Sequence, residues 1–140
     1  MTRQPLLKAA TKPRKNPEAE LQAAVVQHIR LRGVEGLVWD ASMSGVYLGI
    51  RAKVKMKEQG MERGRPDLTF LIGGGYYALE LKNGKKGVQS AEQKDFETRV
   101  FASGGTYRIA RDIDQAIALL EAWGVLNPRT VTKMTYSRAA

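Results

Sequence analysis

Three consecutive glycines, Gly73, Gly74 and Gly75, stand between two short runs rich in strand-forming residues, and they restrict the fold more than any other feature of the chain. Glycine reaches positive φ without steric cost, which is what a two-residue hairpin turn demands, so 68–72 and 76–82 are expected to pair as antiparallel strands. Their register follows from chemistry, because slipping a strand by one residue exchanges its faces. With Gly73 and Gly74 as the turn, Ile72 faces Gly75, Phe70 faces Tyr77, Leu68 faces Leu79, and Asp67 faces Glu80. One face then carries Leu68, Phe70, Ile72, Tyr77, Leu79 and Leu81, all apolar. The other carries Asp67, Thr69, Ala78, Glu80 and, one step further, Lys82. A slipped register would mix these two sets.

Around the hairpin the pattern alternates helix and strand. Asn16, Pro17 and Glu18 provide a cap, a proline at the first helical position and an acid in the first turn. This helix is expected to run to about Arg32 and stop at Gly33, with Leu21, Val25 and Ile29 as its stripe and Glu18 and Gln22 beside it. A short strand is expected at 37–41 and a loop at 42–49. The segment 51–57 alternates strictly, with Arg51, Lys53, Lys55 and Lys57 against Ala52, Val54 and Met56, and reads as a further strand. Ser90 and Gln93 form a capping box that opens a second helix to about Ala102, ended by Gly104 and Gly105. A strand at 106–110 follows, and then Asp112 caps a third helix that carries Ile113, Ala116, Ile117 and Leu120 and ends near Gly124. The fold class is therefore α/β or α+β, a mixed central sheet flanked by helices.

Composition narrows the function. The chain has 140 residues and a formal charge of +9, which points to one domain and a polyanionic partner such as nucleic acid. A chain of this size buries roughly 68–70% of its unfolded surface and needs neither disulfide nor structural metal to fold. The longest uninterrupted apolar run, 116–120, is far below the roughly 20 residues that span a bilayer, so no membrane helix is expected. The basic N-terminus lacks an apolar stretch behind it and does not read as a secretory signal, so the expected location is cytoplasmic. Cysteine is absent, which removes thiol catalysis and Cys-based zinc sites, and the single histidine, His28, is expected to pack on its helix. Trp39 and Trp123 are expected in the core. Residues 1–16 read as a basic flexible arm, 17–126 as the folded domain and 127–140 as a basic tail, the two ends serving solubility or nucleic-acid contact.

The hairpin register has a chemical consequence. Opposed residues hold their Cβ atoms roughly 4.5–5.5 Å apart, so Asp67 and Glu80 can share one hard cation. Without one, two carboxylates that close would repel and raise a pKa. Lys82, on the same face, is placed to orient or activate water, or to offset charge on a phosphate. An all-oxygen site beside a lysine suits Mg2+, with Mn2+ substituting, better than Zn2+. The bland alternative is an ordinary ion-paired cluster on a solvated sheet face. Pro66 fixes φ at the mouth of the strand, and Gly60 and Gly64 allow a sharp approach.

Gly60-Met61-Glu62-Arg63-Gly64-Arg65-Pro66-Asp67-Leu68, then Glu80-Leu81-Lys82, then Ser90-Ala91-Glu92-Gln93, resembles the virus-type replication-repair nuclease (VRR-NUC) domain, a branch of the PD-(D/E)XK nuclease superfamily. The resemblance covers about 18–120. It implies an αβββαβ core and a metal-dependent DNA endonuclease. It further implies that Asp67 and Glu80 are metal-binding acids, that the carbonyl of Leu81 adds a ligand, and that Lys82 is the catalytic lysine. Gln93 matches a glutamine that lines the site, and Glu18, with Gln22 four residues on, matches a first-helix glutamate near the metal. Small standalone members of the family are often phage-encoded, can form homodimers and cut branched DNA such as four-way Holliday junctions. Arg51, Lys53, Lys55 and Lys57, together with Arg63 and Arg65, are the expected DNA-phosphate contacts. The competing readings are a catalytically silent DNA-binding module and a sequence-specific restriction-type endonuclease.

Overall fold

The computed structural model describes residues 16–42 and 49–128; all but the last residue of the expected arm (1–16), most of the expected loop (42–49) and all but the first two residues of the expected tail (127–140) lie outside the described residues. The chain forms α1 (Pro17–Arg32), β1 (Val38–Ala41), α2 (Ile50–Glu58), β2 (Leu68–Ile72), β3 (Gly75–Leu81), α3 (Ala91–Ala102), β4 (Thr106–Ala110) and α4 (Ile113–Ala122). The strands make one sheet in the order β1-β2-β3-β4. The first two pairings are antiparallel and the third is parallel, so the sheet is mixed and the fold is α+β.

The hairpin has the register expected from its sequence: Leu68 lies opposite Leu79, Phe70 opposite Tyr77 and Ile72 opposite Gly75. Gly73 and Gly74 have φ of 56° and 77°, the two positive values of a type I′ turn, whose twist matches that of the flanking strands. The apolar face packs under α1 and α4. Leu68, Phe70, Leu79 and Leu81 meet Val25 and Ile29 from α1 and Ala116, Ile117 and Leu120 from α4. Trp123 closes this layer, with its ring 5.2 Å from that of Tyr77 and 6.4 Å from that of Phe70. Trp39 packs against the same cluster, and His28 is half-buried on α1.

The second face is covered near the end of β3. β3 and β4 are parallel, so the chain must cross over between them, and the crossover carries α3 across that face. Ala78, Val100 and Tyr107 form a second small core there, with Phe96 and Ile109 against it. Glu80 and Lys82 are consequently 3% and 9% exposed. Nearer the turn, Leu71 and Tyr76 remain partly exposed. Sequence patterning reveals α3 itself but not which face of the sheet it covers.

The segment 51–57 corrects the expectation of a strand there, because it is helical. Six of the seven residues are Arg, Ala, Lys or Met, all strong helix formers, and this propensity outweighs a two-residue alternation with no buried face to reward it. Lys55 and Lys57 in the last turn also favour the carbonyl end of the helix. The helix closes at Gln59 and Gly60, where the Met61 N–H returns to the Met56 carbonyl at 2.9 Å. No residue of α2 is buried, and Ile50 and Val54 are exposed. Arg51, Lys53, Lys55 and Lys57 therefore do not form one ridge. At 100° per residue, Arg51 and Lys55 share one side of the helix, and Lys53 and Lys57 project from another roughly 160° away.

This architecture predicts unequal costs for truncating two aliphatic residues. Leu79→Ala, in the central layer, is expected to lower the unfolding free energy by about 2–5 kcal/mol in urea titrations. Val54→Ala, on exposed α2, is expected to change it by no more than about 0.5 kcal/mol.

Candidate active site

The site forms where the C-terminal end of β3 meets the N-terminal ends of β2 and α3. Pro66 is fully buried just before β2, and the Ser42 N–H donates to the Asp67 carbonyl at 2.9 Å, so the backbone of Asp67 is held from both sides. Its side chain turns toward β3, where Oδ2 accepts the Leu81 N–H at 2.7 Å. Continuing the hairpin register by one residue sets Asp67 opposite Glu80. A strand residue directs its N–H and C=O to the same side, so the Leu81 carbonyl also projects toward the Asp67 edge. On the other edge the Lys82 N–H donates to the Ala110 carbonyl of β4 at 3.0 Å.

Gln93 ties the acids to the lysine. It is the third residue of α3 and completes the capping box with Ser90. Its Oε1 accepts the Ser90 N–H at 2.9 Å and the Lys82 ammonium at 3.0 Å, while its Nε2 donates to Glu80 Oε1 at 2.8 Å. Lys82 Nζ lies 3.5 Å from the same Glu80 oxygen. One amide thus serves the helix cap and aligns two charged groups. The other carboxylate oxygen of Glu80, Oε2, is buried without a hydrogen-bond partner.

Electrostatics reflect that shortage of positive charge. Burial, reinforced by the neighbouring Asp67 charge, pushes the Glu80 carboxyl up to about 8, although Lys82 opposes the shift. Burial also raises Asp67, with the Leu81 hydrogen bond opposing and the Glu18 charge adding to the rise. Two adjacent carboxyls that are both raised, one with an oxygen that has no hydrogen-bond partner, fit a bound cation with oxygen ligands. Among the described residues no three acid or histidine side chains converge on one point, so a cation here would complete its shell with a carbonyl and water.

Glu18 reaches this region from the first turn of α1, where its Oε1 accepts the Asn83 N–H at 3.2 Å. Glu20 instead lines a shallow surface with Ala23, Gln27 and Arg30. Arg63 is exposed and Arg65 half-buried on the segment that leads into Asp67. Gly64 sits between them at φ 81°, and a Cβ there would lie 2.3 Å from the Glu92 carbonyl oxygen. The segment carrying Asp67 can therefore touch the start of α3 only through a glycine. Arg111, absent from the sequence reading, contacts the loop after Lys82. Its place depends on the parallel register that sets Leu81 against Ala110, and no local pattern encodes that pairing.

No family model and no curated protein matches this chain. Among solved structures, it is similar to a "VRR_NUC domain protein" with a TM-score of 0.65 and 20% identity, covering 81% of this chain and 98% of that one. It is also similar to a "VRR_NUC domain" structure with a TM-score of 0.54 and 16% identity, covering 78% of this chain and 99% of that one. The chain thus has the fold of VRR-NUC domains, the fold its motifs resemble. Among the described residues no helix is long and apolar enough to cross a membrane.

The raised carboxyls predict how metal-free stability varies with pH. A group that holds its proton more tightly when folded stabilises the fold fully below its unfolded value of 4.5, and this contribution is lost as pH rises through about 8. The melting temperature without divalent metal is expected to fall across that interval, and Glu80→Gln to flatten the fall. Scanning calorimetry in chelator from pH 5 to 8 measures both.

Proposed function

We propose that this chain is a metal-dependent nuclease of the VRR-NUC type that hydrolyses phosphodiester bonds in DNA. The observation that carries the reading is the buried Glu80, adjacent to Asp67 and joined through Gln93 to Lys82. Asp67 and Glu80 are the groups that would hold Mg2+, or Mn2+ in its place, with the Leu81 carbonyl and water completing the shell and Glu18 tuning it from the start of α1. When bound, the ion supplies Lewis acidity, lowering the pKa of water and offsetting phosphate charge. The reaction adds water to phosphorus and breaks one P–O ester bond, with a proton passing to the departing sugar oxygen. Lys82 offsets the charge that builds on the phosphate and orients the incoming water. Gln93 keeps its ammonium pointed at the reacting edge.

The fold likeness supports this assignment, and so does the +9 charge of the chain. Branched DNA such as a four-way junction is the substrate class that the resemblance implies, and a homodimer is the assembly. A silent DNA-binding module would have no use for a buried, underpartnered glutamate, whose desolvation is a cost without a function.

Cleavage of plasmid and junction DNA, with Mg2+ and with chelator, tests the reading. Asp67→Asn, Glu80→Gln and Lys82→Ala are each expected to lower the single-turnover rate by about 10²-fold or more while the fold persists. A Glu80→Gln protein that cuts at the wild-type rate would show that the chemistry lies elsewhere.

Salt titration of Kd addresses the cations of α2. Because the helix divides them, the double variants Arg51→Gln/Lys55→Gln and Lys53→Gln/Lys57→Gln are expected to differ. Neutralising the pair that faces DNA should reduce the slope of log K against log salt by roughly 0.9 for each phosphate that the pair neutralises, and changing the other pair should leave the slope as it is. Equal reductions from both pairs would contradict a helical presentation.

A further inference from the structure

Arg111 lies outside every contact so far assigned to the chemistry, yet its side chain is fixed at both ends. It follows β4 directly, and the parallel pairing of Leu81 with Ala110 brings it beside the exit of β3. Its backbone N–H donates to Gln115 Oε1 at 2.9 Å, and Gln115 is itself held in the first turn of α4 by the Asp112 cap at 2.8 Å. From this anchored position the guanidinium Nη1 donates to two backbone carbonyls of the loop that follows Lys82: Gly84 at 2.7 Å and Gly87 at 2.8 Å.

That loop is one that needs holding. Asn83-Gly84-Lys85-Lys86-Gly87 joins two glycines to two adjacent exposed cations, so backbone entropy and like-charge repulsion both favour opening it. Its internal closure is a single long bond, from the Gly87 N–H to the Asn83 carbonyl at 3.3 Å. Gly87 also lies directly on the Lys82 side chain. A Cβ at that position would stand 2.8 Å from Lys82 Cβ and 3.2 Å from Lys82 Cδ. The aliphatic stem of Lys82 is therefore confined on one side by the Gly87 backbone, which Arg111 holds in place. At the far end of that stem, Nζ meets Gln93 and Glu80.

We propose that Arg111 is a positioning residue for Lys82: by clamping the Gly84 and Gly87 carbonyls it presses the loop against the lysine stem and fixes the direction of the ammonium. The catalytic consequence rests on the nuclease reading above, but the geometric consequence does not. Arginine suits the task because its rigid planar head can serve two carbonyls from one nitrogen while keeping its charge. The same charge near the site could instead contact a DNA phosphate, and the two roles separate experimentally.

Two variants disturb the relay in different ways. Arg111→Ala removes the clamp and a charge; Gly87→Ala leaves the charge and forces a methyl against the Lys82 stem. The first readout is the Gln93 side-chain amide resonance in 15N-resolved NMR of the full chain, which reports the Lys82–Gln93–Glu80 network whether or not DNA is cut. The second is a pair of measurements on one junction substrate with Mg2+: Kd, and the single-turnover rate at saturating DNA. Both variants are expected to shift the Gln93 resonance and to slow the saturated rate by about 10- to 100-fold, the scale of an ångström-level misplacement, with Kd unchanged. A Gln93 resonance at its wild-type position in both variants would overturn the proposal. So would an Arg111→Ala protein that binds DNA more weakly but cuts at the full rate once saturated, which would make Arg111 a phosphate contact. A wild-type chain that cuts no DNA would refute the nuclease reading alone, and the Gln93 resonance would still decide the role of Arg111.

Discussion

A carboxylate placed almost out of reach of water sets the terms for the rest of this molecule. Glu80 is 3% exposed at the end of the central strand pair, and removing a charge of that size from water costs several kcal/mol unless neighbouring groups compensate. What surrounds it supplies part of that compensation. Gln93 donates one hydrogen bond and Lys82 provides a nearby positive charge, but Asp67 adds negative charge and Oε2 has no partner. The fold therefore holds Glu80 in a position that favours either a proton or a bound cation. Stable domains accept such sites where function requires them, since the same residues could be apolar at no loss to packing.

Secondary structure and site are joined through the same side chains. Gln93 completes the cap of α3 and links Lys82 to Glu80, so the start of a helix and the alignment of a charged pair depend on one amide. Gln115 does something similar at α4, where it fixes the backbone of Arg111 from the first helical turn. Gly64 and Gly87 make close approaches possible on either side, one against α3 and one against the lysine stem.

What the amino-acid sequence reveals on its own follows the range of the interaction that decides each feature. The hairpin, its register and the pairing of Asp67 with Glu80 are legible because a glycine turn and a strict segregation of apolar residues act over a dozen positions. The helix starts at Asn16, Ser90 and Asp112 are legible for the same reason, since each cap is read within four residues. The segment 51–57 misleads because its two-residue alternation competes with strong helix propensity, and no burial on either face arbitrates. The cover of α3 over Glu80 and the reach of Arg111 to the loop after Lys82 depend on a parallel pairing between distant strands, which leaves no local trace.

The central claim is that Asp67 and Glu80 share a divalent cation, and calorimetric titration of Mn2+ into the full chain tests it without reference to cleavage. Saturable binding is expected for the wild type, with its loss in both Asp67→Asn and Glu80→Gln and its survival in Lys82→Ala, which removes the lysine but neither acid. Equal Mn2+ affinity in wild type and Glu80→Gln would contradict the account, because the buried glutamate would then have no part in holding the ion.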